Sequence, residues 1–305
     1  MGGYSARSYD TKYITPFLQR NFARISMRES GWLTRSIEQP HPFDRDFPGK
    51  IRNLEVKQAF LNIIEDVQDN GEDPLKYLNA FFLLLSQKSD QDLKILESGL
   101  SFVQSKSVRI ETIIELLKNH FFKEYSQPGA SLLPVIAIFS IYELMLQDVS
   151  RYKKKILKPL KDHTTSDLKS SSFGDIEVYT LDNHVFECVE VKHKIPIGFS
   201  ILDGIYSKIR NQSVNRYYIL TTANPNIKEE DRHDIQLLIK KFSNEGCEVI
   251  INGLIPSLNY YLRLTDHTTF IAAYTRNLEK AFTSNTVIKY EHLENWQNLR
   301  KMYLV

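Results

Sequence analysis

The chain has 305 residues, of which 42% are apolar and 25% charged. These proportions are typical of globular proteins and exclude a disordered chain, a collagen and a coiled-coil array. Lys and Arg number 39 and Asp and Glu 37, so the net charge of +2 gives almost no information about charged partners. The two cysteines, Cys188 and Cys247, are too few for a disulfide framework or a four-thiolate zinc site and indicate a reducing compartment.

The N-terminal residues lack the apolar core of a secretory signal peptide. The most apolar stretch, residues 132–146, is interrupted by Pro134, Ser140 and Glu143, and it is shorter than the roughly 20 residues that span a bilayer. We therefore expect a buried helix in this stretch, no membrane partner and a cytoplasmic location.

The first part of the chain has a helical pattern. Apolar side chains within 60–67 recur at i, i+3, i+4 and i+7, and residues 77–85 form a second apolar helical run. Pro128 and Gly129 lie at a change of composition that is typical of a boundary. The sequence therefore predicts a mainly helical N-terminal region over 1–125 and a second domain, with a helical C-terminal extension, over 126–305.

The second domain alternates between helices and strands. Helices are predicted at 131–149, 201–209 and 235–242, and strands at 176–180, 185–191, 217–222 and 247–251. The order is helix, two strands, helix, strand, helix, strand. It predicts an α/β fold in which helices sandwich a mixed sheet, with an antiparallel hairpin beside strands that are joined through helices.

The predicted hairpin brings two acids together. Asp182 and Asn183 both tolerate positive φ, so they can form a two-residue type I′ turn. Paired residue numbers then sum to 365, which places Asp175 directly opposite Glu190 on one face, with Lys192 beside them. The opposite face carries an apolar layer: Ile176, Val178, Val189 and Val191.

Two facing carboxylates repel each other unless a positive charge lies between them. Mg²⁺ prefers carboxylate oxygens and water molecules as ligands. A lysine next to such a cation can position an attacking water, a combination that suits hydrolysis of a phosphodiester.

The pattern Gly174-Asp175, fourteen residues, Glu190-Val191-Lys192 resembles the PD-(D/E)xK nuclease superfamily. In size and in its extra N-terminal region the chain is most similar to a type II restriction endonuclease. The resemblance covers about 131–252 and implies a restriction-endonuclease-like core in which Asp175 and Glu190 bind Mg²⁺. It also implies that the Val191 carbonyl joins these ligands and that Lys192 assists the water. Gly174 stands where the family name has proline, a position that supplies no ligand and that we expect to tolerate the difference.

The resemblance also implies a biological setting. A type II restriction enzyme cleaves double-stranded DNA at a specific sequence and works in a prokaryotic cytoplasm beside a companion DNA methyltransferase. A homodimer would place one active site on each strand of a symmetric target. The N-terminal region would then contribute DNA contacts, the dimer interface or both.

Three further acids are candidates for the same site. Glu143 interrupts the apolar helix before the hairpin, and in the family this helix often lends a glutamate to the metal; the alternative is a carboxylate that reaches solvent. Glu177 shares the face of Asp175 and is either an auxiliary ligand or a polar surface residue. Glu55 and Lys57 form a second ExK, but in a helix these side chains diverge.

A basic run precedes the hairpin. It contains six basic residues and no acid: Arg151, Lys153, Lys154, Lys155, Lys158 and Lys161. Such a run, with Lys194 beyond the hairpin, can neutralise DNA phosphates. The alternative is a solvated helix face.

Two other functions fit the same sequence features. The same chemistry can serve a repair, junction-resolving or modification-dependent nuclease. A nuclease-like core can also form a DNA- or protein-binding module without catalysis.

Overall fold

The computed structural model describes residues 6–22, 41–49, 51, 53–100, 108–160, 172–284 and 287–304. Contacts divide the chain into two compact units, Met1–Ile95 and Leu96–Val305. This division falls about 30 residues before the boundary that composition predicts, a difference that the helix packing described below explains.

The first unit is helical. Its elements are α1 (Ala6–Tyr9), a π-helical turn (Asp10–Ile14), α2 (Thr15–Asn21), α3 (Leu54–Gln68) and the first part of α4 (Pro74–Leu100). The side chain of Asn53 caps α3 by accepting a hydrogen bond from the Val56 N–H at 3.1 Å. Helices predicted at 60–67 and 77–85 are confirmed as α3 and α4. Glu55 and Lys57 lie on α3, and the Lys57 ammonium donates to the Phe47 carbonyl at 2.6 Å.

The second unit combines helices with a five-stranded sheet. The helices are α5 (Ile110–Phe122), α6 (Leu132–Asp148), α7 (Phe199–Ile209), α8 (Arg232–Asn244), α9 (Leu254–Leu262), α10 (His267–Ser284) and α11 (Tyr290–Leu304). The predicted buried helix is confirmed as α6, since 13 of its 17 residues are buried. Within the described residues, we find no helix with the length and apolarity needed to cross a membrane.

The strands are β1 (Lys155–Leu157), β2 (Ile176–Thr180), β3 (Val185–Lys192), β4 (Arg216–Thr221) and β5 (Glu248–Gly253). They lie in the order β1-β2-β3-β4-β5, with antiparallel pairing up to β3 and parallel pairing from β3 to β5. The predicted α/β fold with a mixed sheet between helices is therefore confirmed. β1, which the sequence does not predict, forms within the basic run.

Each face of the sheet has its own core. Ile176, Val178, Val189 and Val191 pack with α6, as the alternation predicts. Cys188, Tyr217 and Ile219 point to the other face, where α7 and α8 cover them. Alternate side chains of β3 therefore belong to two different cores, one on each face of the sheet.

Helix α5 lies N-terminal to the predicted boundary but packs in the second unit. Ile113, Leu116 and Leu117 are fully buried in the same cluster as Trp296 of α11. The Pro128-Gly129 loop therefore connects two helices of one core.

Candidate functional site

The β2–β3 hairpin has the predicted register around the two acids. Its ladder pairs Ile176 with Val189, Glu177 with Cys188 and Val178 with Glu187. Each of these pairs sums to 365, as predicted. Asp175 directly precedes the first pair and Glu190 directly follows it, so the two acids lie side by side on neighbouring strands.

The turn of the hairpin differs from the prediction. Residues 181–183 form a three-residue loop, in which the Thr180 N–H donates to the His184 carbonyl at 2.9 Å and Asn183 has a φ of 65°. A β-bulge then adds Phe186 to β3 and shifts the pairing by one residue. These two shifts cancel, so the predicted type I′ turn is wrong although the pairing beyond the bulge is correct.

Asp175 and Glu190 have different immediate partners. The Asp175 Oδ2 accepts a hydrogen bond from the Val191 N–H at 2.8 Å, and the Lys192 Nζ lies 2.5 Å from the Glu190 Oε1. Burial raises the pKa of the Tyr217 hydroxyl well above its usual value, and the charges of Glu190 and Asp175 raise this pKa further. The charges of both carboxylates therefore act on one buried hydroxyl.

The Val191 carbonyl points toward the same strand as its N–H does. In a strand the N–H and C=O of one residue leave the backbone on the same side. Because the Val191 N–H meets Asp175, the carbonyl of Val191 also faces the β2 side. This direction suits the predicted role of that carbonyl.

The acids and the lysine lie together where β2 begins and where β3, β4 and β5 end. We call this end of the strands the site edge. β2 runs antiparallel to β3, so Asp175 before β2 and Lys192 at the end of β3 lie at the same edge. The parallel strands β4 and β5 also end at this edge, with Thr221 and Gly253. In open α/β sheets ligands bind beyond the carboxyl ends of the parallel strands.

Gly174 allows the close approach of β2 to β3. A Cβ at this position would lie 2.8 Å from the Val189 carbonyl oxygen and 3.3 Å from the Tyr217 hydroxyl. A proline or any other side chain would therefore push the backbone next to Asp175 away from β3. That the site tolerates glycine where the family name has proline stays a prediction.

The described part of the basic run, residues 151–160, does not form an α-helix, so the alternative of a solvated helix face is wrong there. It forms a 3₁₀ turn (Ser150–Tyr152) and the edge strand β1, and its side chains divide between the faces of the sheet. The Arg151 guanidinium lies 3.2 Å from the Glu187 Oε2, on the face opposite to Glu190. The Lys155 ammonium lies 4.7 Å from the centre of the Phe186 ring, which packs in the same core as α6.

Lys158 lies on the face of the two acids. Its Nζ is 3.7 Å from the Glu177 Oε2 and 3.6 Å from the centre of the Tyr179 ring. Lys153 and Lys154 are exposed, and Lys161 lies outside the described residues. Lys194 follows β3 at the site's edge, where its backbone N–H donates to the Thr222 Oγ1 at 2.7 Å.

Glu143 is engaged by another helix. Its Oε2 accepts hydrogen bonds from the Arg276 guanidinium at 2.9 Å and the Asn277 amide at 2.6 Å, both on α10. Helix α6 covers the face of the sheet that carries Val189 and Val191, whereas Glu190 points to the other face. These contacts favour an ion pair with α10 over a metal ligand for Glu143.

Two acids of the hairpin are buried and differ from expectation. Glu177 is 3% exposed, so the interpretation as a polar surface residue is wrong. Glu187 is 0% exposed and sequence reasoning missed it altogether. The register contained the signal for Glu187, because 178 and 187 sum to 365 and an acid therefore had to face the apolar layer.

The donors at the edge are hard oxygen atoms. Among the described residues, no group of three His, Cys, Asp or Glu side chains is arranged to hold a metal ion. The arrangement instead offers the two carboxylates of Asp175 and Glu190 together with the Val191 carbonyl. This set fits Mg²⁺, which is usually bound by one or two carboxylates and several waters.

Comparison with known proteins does not add a family to this description. No protein-family model matches the chain, and no curated protein matches it significantly. The function is therefore inferred from the residues and their geometry.

Proposed function

We propose that the protein is a Mg²⁺-dependent endonuclease that cleaves double-stranded DNA at a specific sequence, as a type II restriction enzyme does. The observation that carries this proposal is the position of Asp175 and Glu190 on neighbouring strands with Lys192 at the same edge. The resemblance to PD-(D/E)xK nucleases remains part of the proposal.

Asp175, Glu190 and the Val191 carbonyl would hold Mg²⁺. The bound cation would supply charge stabilisation at the phosphate oxygens. The hydrogen bond from the Val191 N–H fixes the direction of the Asp175 carboxylate, because it holds Oδ2 against the next strand.

Lys192 would orient the attacking water. Its ammonium lies 2.5 Å from the Glu190 Oε1, and its side chain is 29% exposed, so Lys192 is anchored by an acid of the site and remains accessible to solvent. A fixed ammonium can donate a hydrogen bond to the water and stabilise negative charge as that water loses its proton.

The surroundings support a DNA substrate. Lys158 lies on the face of the acids, where it pairs with Glu177, and Lys194 directly follows β3, so both would meet a phosphate backbone that passes the site. The further features of the proposal are a homodimer, a companion methyltransferase and a prokaryotic cytoplasm.

Incubation with a sequenced plasmid, with and without Mg²⁺, tests the proposal. We expect discrete fragments that require Mg²⁺ and map to one sequence, and Lys192→Met should reduce the cleavage rate at least 100-fold. Methylated and branched DNA are tested in parallel. Random nicking, or cleavage of branched or methylated DNA alone, would favour the repair or modification-dependent alternatives, and no metal-dependent cleavage of any substrate would refute the proposal.

A further inference from the structure

Glu177 is a buried acid two residues after Asp175 on the same face of the sheet. Both of its oxygens accept hydrogen bonds. Oε1 accepts from the Phe173 N–H and from the Ser172 hydroxyl, each at 2.7 Å, and Oε2 accepts from the Tyr179 hydroxyl at 2.9 Å. These contacts turn the carboxylate toward the chain that enters β2.

The entering segment, residues 172–174, is also held from β4. The Tyr217 hydroxyl donates to the Phe173 carbonyl at 2.6 Å, and Gly174 lies too close to the Val189 carbonyl for a side chain to fit. Glu177 and Tyr217 therefore hold both polar groups of the Phe173 backbone.

This segment determines where Asp175 lies. Asp175 precedes the first ladder pair of β2, so strand pairing does not fix its backbone from the N-terminal side. Its carboxylate nevertheless accepts the Val191 N–H at 2.8 Å. Such a contact requires the preceding segment to be held in place.

The charge of Glu177 is compensated by Lys158, whose ammonium lies 3.7 Å from Oε2 and stacks on the Tyr179 ring. An acid buried beside Asp175 and Glu190 would otherwise add repulsion to the site.

We propose that Glu177 is a positioning residue: it holds residues 172–174 so that the Asp175 carboxylate meets the Val191 N–H, next to Glu190, and it is not itself a metal ligand. This inference rests on the proposed function for its effect on metal binding. Its effect on the position of Asp175 is independent of DNA and metal.

The test measures amide hydrogen exchange at Val191 by NMR in the full-length protein without metal. Glu177→Ala should raise this exchange rate about ten-fold, because a lost hydrogen bond of about 1.4 kcal/mol changes a local opening equilibrium by that factor. Glu177→Gln keeps an acceptor for the Phe173 N–H and should restore most of the protection.

Glu187→Ala is the matched control. Glu187 is equally buried on the same hairpin but faces the opposite side of the sheet. Its loss should destabilise the protein as a whole without a specific effect at Val191, once the exchange rates are corrected for global stability. Equal Val191 exchange in the two alanine variants would overturn the inference.

Calorimetric titration with Mn²⁺ adds a second readout. Glu177→Ala should weaken Mn²⁺ binding about ten-fold, in step with the loss of Val191 protection, whereas Glu177→Gln should bind nearly as well as the wild type. If Glu177→Gln lost Mn²⁺ binding with Val191 protection intact, Glu177 would be a ligand and the inference would be wrong. If the wild type neither bound Mn²⁺ nor cleaved DNA, the proposed function would fail, while the exchange experiment would still decide the positioning role.

Discussion

Strand β3 carries two glutamates, three positions apart, in opposite surroundings. Glu187 is fully buried against α6, where its Oε1 accepts hydrogen bonds from the Tyr142 hydroxyl at 2.5 Å and the Tyr152 hydroxyl at 2.9 Å. Glu190 lies at the site edge and is partly exposed, and the Lys192 ammonium contacts its Oε1.

The difference between them separates a structural acid from a candidate catalytic acid. Glu187 accepts hydrogen bonds from two core tyrosines and from Arg151. Burial raises its pKa, although these donors oppose this effect. Glu190 has a charged and partly exposed partner, Lys192, and a second acid, Asp175, on the next strand. A cation and a substrate can therefore reach Glu190, whereas they would have to open the core to reach Glu187.

The largest expected effect is on cleavage. Glu190→Gln removes a charge from the proposed metal site and should lower the rate of Mg²⁺-dependent DNA cleavage about 1000-fold, since a metal ligand contributes several kcal/mol to the transition state. The free energy of unfolding should change by about 1 kcal/mol or less, because the pair with Lys192 is partly exposed. Plasmid cleavage rates and urea denaturation measure the two quantities.

Glu187→Gln is the matched control for this variant. It makes the same chemical change on the same strand, and it should leave the cleavage rate of the folded protein within about three-fold of wild type. A large loss of cleavage in Glu187→Gln with an intact fold, or an active Glu190→Gln, would contradict the separation of the two roles.

The pairing of the acids was predictable because strand alternation and register are set by a period of two. Ile176, Val178, Val189 and Val191 reported the buried face, and that face determined where Asp175 and Glu190 had to point. The turn was not predictable at the same level. Asn183 tolerates positive φ in both loop types, and the bulge at Phe186 has no apolar signature.

Other features depended on tertiary partners. β1 is the outermost strand of the sheet and contains one lysine and two apolar residues. Three residues are too few for an alternating pattern to identify a strand. Glu177 is buried only because Ser172, Phe173 and Tyr179 supply donors to its oxygens, and this arrangement depends on the folded hairpin. Sequence patterns predict on which face of the sheet a side chain lies, but they do not predict which buried polar groups find hydrogen-bond partners there.

The next largest effect is expected from a substitution at Gly174, where β2 packs closely against β3. Gly174→Ala should lower the free energy of unfolding by about 1–3 kcal/mol, because its Cβ would lie 2.8 Å from the Val189 carbonyl oxygen, which is part of the backbone. It should also reduce DNA cleavage at least ten-fold, since the displaced backbone carries Asp175. Denaturation and cleavage rates measure both effects.

Gly204→Ala is the control for the glycine experiment. Gly204 lies in α7, where an added Cβ meets nothing within 4 Å. Alanine should therefore stabilise the protein by about 0.5–1 kcal/mol and leave cleavage unchanged. If Gly174→Ala had the stability and the cleavage rate of wild type, the backbone around Gly174 would accommodate a Cβ and the prediction would be wrong.

The smallest effect follows from the raised pKa of Glu187. The folded protein binds a proton at Glu187 at a higher pH than the unfolded chain does, so this group favours folding increasingly as the pH falls. Its contribution is complete below the ordinary glutamate pKa and is lost as the pH rises through the folded value. The difference in unfolding free energy between wild type and Glu187→Gln should therefore grow in favour of wild type as the pH falls toward the ordinary glutamate pKa, by no more than about 1.4 kcal/mol per pH unit.

Buried histidines act in the opposite direction in this pH range. Burial lowers the pKa of His120 to about 3, so the unfolded chain takes up a proton first and stability falls as the pH drops below about 6.5. This loss occurs in wild type and in Glu187→Gln alike, and it cancels when the two are subtracted at each pH. Urea denaturation of both proteins at pH 7, 6 and 5 therefore isolates Glu187, and a difference that shrank as the pH fell would show that its hydrogen bonds outweigh its burial.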